Sequence, residues 1–130
     1  MPIYLKGRGI VTKRNEALDR IQPALSRFVQ ELQTIYGTSL KSVILFGSYA
    51  RNEARTDSDI DVLLLLDMTE EEIRKKRSQL SELRFEMDKT EPLLDIQPVT
   101  VPLTRFQHWK DIHPFYRNIV KEGVPLYEAA

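Results

Sequence analysis

Two aspartates one residue apart, Asp59 and Asp61, are the first feature with chemical consequences. They sit in Asp57-Ser58-Asp59-Ile60-Asp61-Val62, which runs into an apolar stretch ending at Leu66. Residues two apart on a strand project from the same face. The spacing therefore predicts two carboxylates side by side, with Ile60 and Val62 turned to the core. Like charges that close repel, and one takes up a proton unless a cation intervenes. A hard divalent cation such as Mg²⁺ would relieve the repulsion, because it prefers oxygen ligands and shares them with substrate phosphates. Taken alone, the pair also reads as a hydrated strand end.

The segment upstream, Phe46-Gly47-Ser48-Tyr49-Ala50-Arg51, changes that reading. Gly47 closes the apolar run Val43 to Phe46, and Ser48 opens an expected one- or two-turn helix reaching Ala54. Glycine lets the backbone approach a ligand closely. A helix N-terminus offers unpaired N–H groups to an anion. Ser48 adds a hydroxyl, and Arg51, one turn further on, a permanent guanidinium suited to phosphate. A lone Gly-Ser pair is an ordinary turn, and Arg51 could instead pair with a local acid. Tyr49 would lie at the surface or border a bound nucleotide. Jointly, the two segments place an anion cradle beside a cation cradle, and an NTP–Mg²⁺ complex needs both.

The elements that must position these groups follow from the apolar spacing. Leu18, Ile21, Leu25, Val29, Leu32 and Ile35 recur with helical period over Asn15 to Tyr36. Pro23 is expected to kink or split that helix, and Gly37 to stop it. Val43 to Phe46 reads as a buried strand. Ile60 to Leu66 reads as a second one, apolar on both faces beyond Asp61. Thr69 with Glu72 forms a capping box at the start of a helix whose buried stripe is Ile73, Leu80, Leu83 and Met87. Leu93 to Val101 reads as a third strand, with Pro98 marking an edge or a bulge. Leu103 to Asp111 and Phe115 to Lys121 are short helices parted by Pro114. Gly123 ends the last, and Val124 to Tyr127 is a short extended tail. The fold class expected is α+β, a small mixed sheet flanked by helices.

Bulk properties narrow the function classes. The chain has 130 residues, which fits one domain over 1–130 with a flexible lead over about residues 1–12. Nineteen acids balance nineteen bases. A protein that coats nucleic acid is normally basic, so bulk DNA or RNA is not the expected partner. The absence of cysteine excludes thiolate catalysis and cysteine zinc sites. Met1 to Gly9 carries no apolar signal region, and Val62 to Leu66 is too short to span a bilayer. The expectation is a cytoplasmic protein without a membrane span. His108 and His113 are expected to pack or face water, and Gly7-x-Gly9 lacks the third glycine of a dinucleotide fingerprint.

Gly47-Ser48, ten intervening residues, then Asp59-x-Asp61 resembles the signature of the DNA polymerase β-type nucleotidyltransferase superfamily, and its minimal members in particular. The likeness includes the apolar strands on either side, Arg51 three after Ser48, and Ser58 just before the first acid. It implies the nucleotidyltransferase fold and a two-metal mechanism with two Mg²⁺ ions and ATP as substrate. It also implies a third carboxylate from a later strand, and Asp95 in Leu94-Asp95-Ile96 is the match, with Glu91 a less regular alternative. In family terms Asp59, Asp61 and Asp95 are the metal ligands and catalytic acids. Gly47, Ser48, Arg51 and Ser58 would hold the nucleotide.

The chain is similar in size to the stand-alone members that act as antitoxins beside HEPN-domain ribonuclease toxins. That likeness implies transfer of AMP to a tyrosine of the toxin. The toxin's own Arg-x4–6-His motif is absent, so this chain would be the modifying partner. Two other readings stay open: a contact-only antitoxin whose acids are dispensable, and nucleotidyl transfer to a small molecule such as an aminoglycoside.

Overall fold

The computed structural model describes residues 14–130. The lead expected over residues 1–12, with Gly7 and Gly9, lies outside the described residues. The helix α1 spans Glu16–Tyr36 and is followed, after a 3-10 turn, by strand β1, Leu40–Phe46. Next come β2, Ile60–Leu66, and the helices α2, Glu70–Lys75, and α3, Arg77–Thr90. The chain ends with β3, Ile96–Pro102, α4, Leu103–Trp109, α5, Pro114–Glu122, and β4, Val124–Glu128. The result is an α+β fold.

The four strands form one mixed sheet in the order β3-β2-β1-β4. β1 is antiparallel to both β2 and β4, and β2 is parallel to β3. The tail expected after Gly123 thus becomes an edge strand. Pro98 sits in the opposite edge strand, as its missing N–H requires.

Period-two alternation divides β2 between two cores. Ile60, Val62, Leu64 and Leu66 pack with Leu18, Leu25, Phe28 and Leu32 of α1 and with Leu83 and Met87 of α3. Leu63 and Leu65 pack on the other face with Val101, Phe106 and Ile119, the last two from α4 and α5. A strand covered on both sides must be apolar throughout, and β2 is, except at Asp61. Asp61 is therefore in the row of Leu63 and Leu65, on the face covered by α5.

Local chemistry shapes the elements around this sheet. Pro23, expected to kink or split α1, does not split it: the helix is continuous from Glu16 to Tyr36. The proline removes one hydrogen bond, to the Asp19 carbonyl, while its neighbours Ala24, Leu25 and Phe28 are buried and hold the turn in place. The expected capping box is present: the Thr69 hydroxyl accepts from the Glu72 N–H, and the Glu72 carboxylate accepts from the Thr69 N–H. The single helix expected after it is broken at Lys76, whose Nζ donates to the Ile35 carbonyl at the end of α1 at 2.9 Å. β3 begins three residues later than expected, because a turn closed by the Leu94 N–H on the Glu91 carbonyl precedes it.

Asn15 joins the helical layer to the loop after β1. It is 4% exposed, its Oδ1 accepts the Leu18 N–H at 3.1 Å, and its Nδ2 donates to the Tyr49 carbonyl at 2.7 Å. Asn15→Ala removes the cap of α1 and the shorter of the two hydrogen bonds to the Tyr49 carbonyl, so it should lower stability by about 2 kcal/mol. Thr69→Ala, at an exposed cap, should cost about 1 kcal/mol. Urea unfolding of the two variants against wild type checks both the sizes and their order.

Candidate functional site

The loop after β1 turns sharply. Gly47 has φ +79°, and the Arg51 N–H donates to the Gly47 carbonyl at 3.1 Å. The Glu53 N–H donates to the Ser48 carbonyl at 2.9 Å. The helix expected from Ser48 to Ala54 is therefore one tight turn, broken by Asn52 at φ 60°. Tyr49, expected at the surface or beside a ligand, is buried in the core at 6% exposure. Its side chain anchors the turn from below, as Asn15 does through its carbonyl.

Gly47 lies against the first acid of β2. Phe46 pairs with Asp61 across β1 and β2, and a Cβ on Gly47 would stand 2.3 Å from Asp61 Oδ2. Only glycine fits both that contact and the left-handed backbone. The turn and the aspartate strand are thus in van der Waals contact.

The acids come together through strand register. Asp59 lies one residue before β2, and Asp95, expected within the third strand, lies one residue before β3. β2 and β3 are parallel with Ile60 level with Ile96 and Asp61 level with Gln97, and the Ile60 N–H donates to the Asp95 carbonyl at 2.8 Å. Asp59 and Asp95 therefore meet head to head, with their side chains within hydrogen-bond reach. Gln97 Nε2 donates to Asp95 Oδ1 at 2.6 Å. Glu91, the alternative third acid, ends α3 instead and pairs with Arg27 at 3.5 Å.

A cleft of about 480 Å³ opens at this point. Gly47, Ser48, Arg51, Ser58, Asp59 and Asp61 all line it, and Phe115, Asn118 and Glu122 of α5 close its far side. Arg51 holds Glu53 at 2.9 Å and Glu122 at 3.7 Å, so the local-acid pairing left open by the sequence is present. The Ser58 hydroxyl accepts the Arg55 N–H at 2.8 Å and shapes the loop leading to Asp59. The α5 residues carry no signal near the motif, being about sixty positions away in sequence. Gln97 did carry one, since it lies two after Asp95 and so on the same face. His113 packs on Tyr116 and its Nδ1 accepts the Phe115 N–H, capping α5, and His108 packs on Trp109.

The electrostatics follow from the crowding. The hydrogen bond with Asp95 raises Asp59 above the usual carboxylate range, and the charge of Asp95 adds to it. Burial raises Asp61, with Asp59 adding and the Arg51 guanidinium opposing. Among the described residues no group of three acid or histidine side chains is arranged as it would be around an ion, because Asp95 is drawn to Asp59 and Gln97. The donor set nonetheless suits Mg²⁺, which is usually held by one or two carboxylates together with substrate phosphates. Asp59 and Asp61 could supply the first, and the turn at Gly47 and Ser48 could hold the second.

Comparison with known proteins shows the family. Residues 25–127 match the family model described as a nucleotidyltransferase domain. A Methanocaldococcus jannaschii protein named "Putative protein adenylyltransferase" is 43% identical over 47 residues, 36% of this chain and 47% of that protein. The chain spans about half the length of the curated relatives it matches. A solved mutant of the toxin-antitoxin MntA-HpeT superposes with a TM-score of 0.52 at 17% identity, covering 83% of this chain and 73% of that one. A toxin-antitoxin with AMP-PNP gives 0.50 at 20% identity, covering 79% and 73%. At such identities the likeness is one of fold. Among the described residues no helix is long and apolar enough to cross a membrane.

Two predictions follow from the geometry. Carboxyls with raised folded-state pKa bind protons more readily folded than unfolded, so stability falls as pH rises from the ordinary aspartate range through the raised value. Asp61→Asn should therefore raise the Tm of the metal-free protein at pH 7, and that gain should vanish near pH 3, where wild-type Asp61 is protonated in both states. Thermal melts at the two pH values check this. Gly47→Ala should destabilise by at least about 1–2 kcal/mol from the left-handed backbone alone, and its added methyl should displace Asp61. Denaturant unfolding reads the first effect, and loss of Mg²⁺-dependent protection against heat reads the second.

Proposed function

Because this chain belongs to the nucleotidyltransferase domain family, we propose that it transfers AMP from ATP to a tyrosine hydroxyl of a HEPN-type ribonuclease toxin and so acts as its antitoxin. The observation that supports the reading is that Asp59 and Asp61 line one cleft with the Gly47–Ser48 turn, and that Asp95 meets Asp59 from the neighbouring strand. The reaction belongs in the cytoplasm, where ATP and such a toxin meet. A protein acceptor suits a cleft walled by a single short helix, α5, and otherwise open to a partner. The similarity to proteins named as adenylyltransferases and as toxin-antitoxins supports the same choice of donor and partner.

The side chains divide the work. Ser48 and the backbone N–H groups opening its turn hold the β- and γ-phosphates. Arg51 exchanges Glu53 and Glu122 for phosphate oxygens when the triphosphate arrives. Asp59, Asp61 and Asp95 are the residues that would hold two Mg²⁺ ions together with the phosphates. Those ions would activate the attacking oxygen and stabilise the leaving pyrophosphate. Asp95 accepts the proton of the acceptor hydroxyl as its oxygen bonds to the α-phosphorus. The bond from the α-phosphorus to the bridging oxygen breaks, and pyrophosphate leaves toward Ser48 and Arg51.

The test mixes the protein with Mg²⁺, labelled ATP and the product of the neighbouring gene, and follows AMP mass gain on that product. Asp59→Asn and Asp61→Asn should abolish the gain, and Asp95→Asn should slow it by about 10²- to 10⁴-fold. If the first two variants still neutralise the partner fully, neutralisation by contact replaces catalysis. If the gain appears on an aminoglycoside and not on the protein, the acceptor is a small molecule. Failure to bind any NTP with Mg²⁺ would end the enzymatic reading.

A further inference from the structure

The two parallel strands open with matched segments, Asp59-Ile60-Asp61 and Asp95-Ile96-Gln97. Register sets Ile60 level with Ile96 and Asp61 level with Gln97, so four polar side chains form a square on one face of the sheet. Three corners are the acids of the proposed site. The fourth is an amide. Gln97 Nε2 lies 2.6 Å from Asp95 Oδ1, and its Oε1 lies 3.3 Å from Nη2 of Arg84 on α3. Arginine can only donate, so it must face the amide oxygen. The amide nitrogen is thereby directed at Asp95, whichever way the amide would turn by itself.

We propose that Gln97, oriented by Arg84, is a positioning residue that holds one oxygen of Asp95 and aims the other at the incoming acceptor hydroxyl. The inference rests on the transfer reaction proposed above. Asp95 precedes its strand and is exposed, so backbone structure alone leaves its carboxylate free to rotate. Asp59 can hold it only by sharing a proton. Gln97 holds it through a neutral N–H donor, which needs no shared proton. A carboxylate at position 97 would add a fourth negative charge and no donor. The tie to Arg84 also anchors the edge strand's polar face to α3, away from the cleft.

The hold and its use are tested separately. In the free protein, side-chain amide resonances of Gln97 should shift on Asp95→Ala and on Arg84→Met. Resonances unmoved by both changes would overturn the proposal. In the transfer assay, with ATP, Mg²⁺ and the partner protein, Gln97→Met keeps length but cannot donate. It should lower kcat by about 10- to 100-fold, the usual loss when a supporting hydrogen bond is removed, with the KM for ATP nearly unchanged. Arg84→Lys, which still donates, should retain more turnover than Arg84→Met. Adding Gln97→Met to Asp95→Ala should cost nothing further, because the two act as a unit. Full activity of Gln97→Met in a protein that transfers AMP would overturn the proposal and leave the reaction standing. A wild-type protein that transfers nothing, with the Gln97 amide still moved by Asp95→Ala, would overturn the reaction and support the hold.

Discussion

Like charges held at close range constrain everything else in this molecule. Asp59, Asp61 and Asp95 gather at the head of two parallel strands; Asp95 disfavours the ionised form of Asp59, and burial together with Asp59 and Asp95 disfavours that of Asp61. A sequence free to vary would separate them, since nothing in the sheet needs carboxylates there. They stay together because the β2–β3 register leaves no choice. Ile60 and Ile96 are both buried at the same level, and a slip of one residue would turn those isoleucines to solvent. Core packing thus fixes a repulsive arrangement that an opposing charge can exploit.

Relief comes from two directions. Arg51 faces Asp61 across the cleft and opposes its rise. Gln97 gives Asp95 a neutral donor. The turn at Gly47 packs directly on Asp61, at a distance only glycine permits. The turn itself is held from beneath by Tyr49, which packs in the main core, and by Asn15, which caps α1 with one end and grips the Tyr49 carbonyl with the other. A cap residue at the start of the first helix is in this way part of the scaffold of the cleft.

The two faces of the sheet serve different ends. The α1–α3 face carries the larger core and sets register and stability. The α4–α5 face is smaller, and its row along β2, Leu65 and Leu63, continues into Asp61 and Asp59. Where the apolar row stops, α5 still overhangs the sheet through Phe115, Asn118 and Glu122, and the gap beneath it is the cleft. Phe115 also stacks edge-on against Phe46, which ties that wall to the strand leading into Gly47.

Sequence alone determined the pieces whose cause is local. The period of α1, the apolar run of β2, the Thr69 capping box and the Gly-Ser and Asp-x-Asp motif depend on residues within a few positions of one another. So does the same-face placement of Asp59 and Asp61. Tertiary structure decided what depends on distant partners. Packing in the main core kept α1 continuous past Pro23, a carbonyl on α1 holds Lys76 where the next helix breaks, and pairing with β1 made a strand of the C-terminal tail. It also buried Tyr49, spent Arg51 on Glu53 and Glu122, and set α5 as a wall. The meeting of Asp59 with Asp95 belongs to this second group. A carboxylate's neighbours across a sheet are chosen by strand order and register, and those are settled by how the whole apolar set packs.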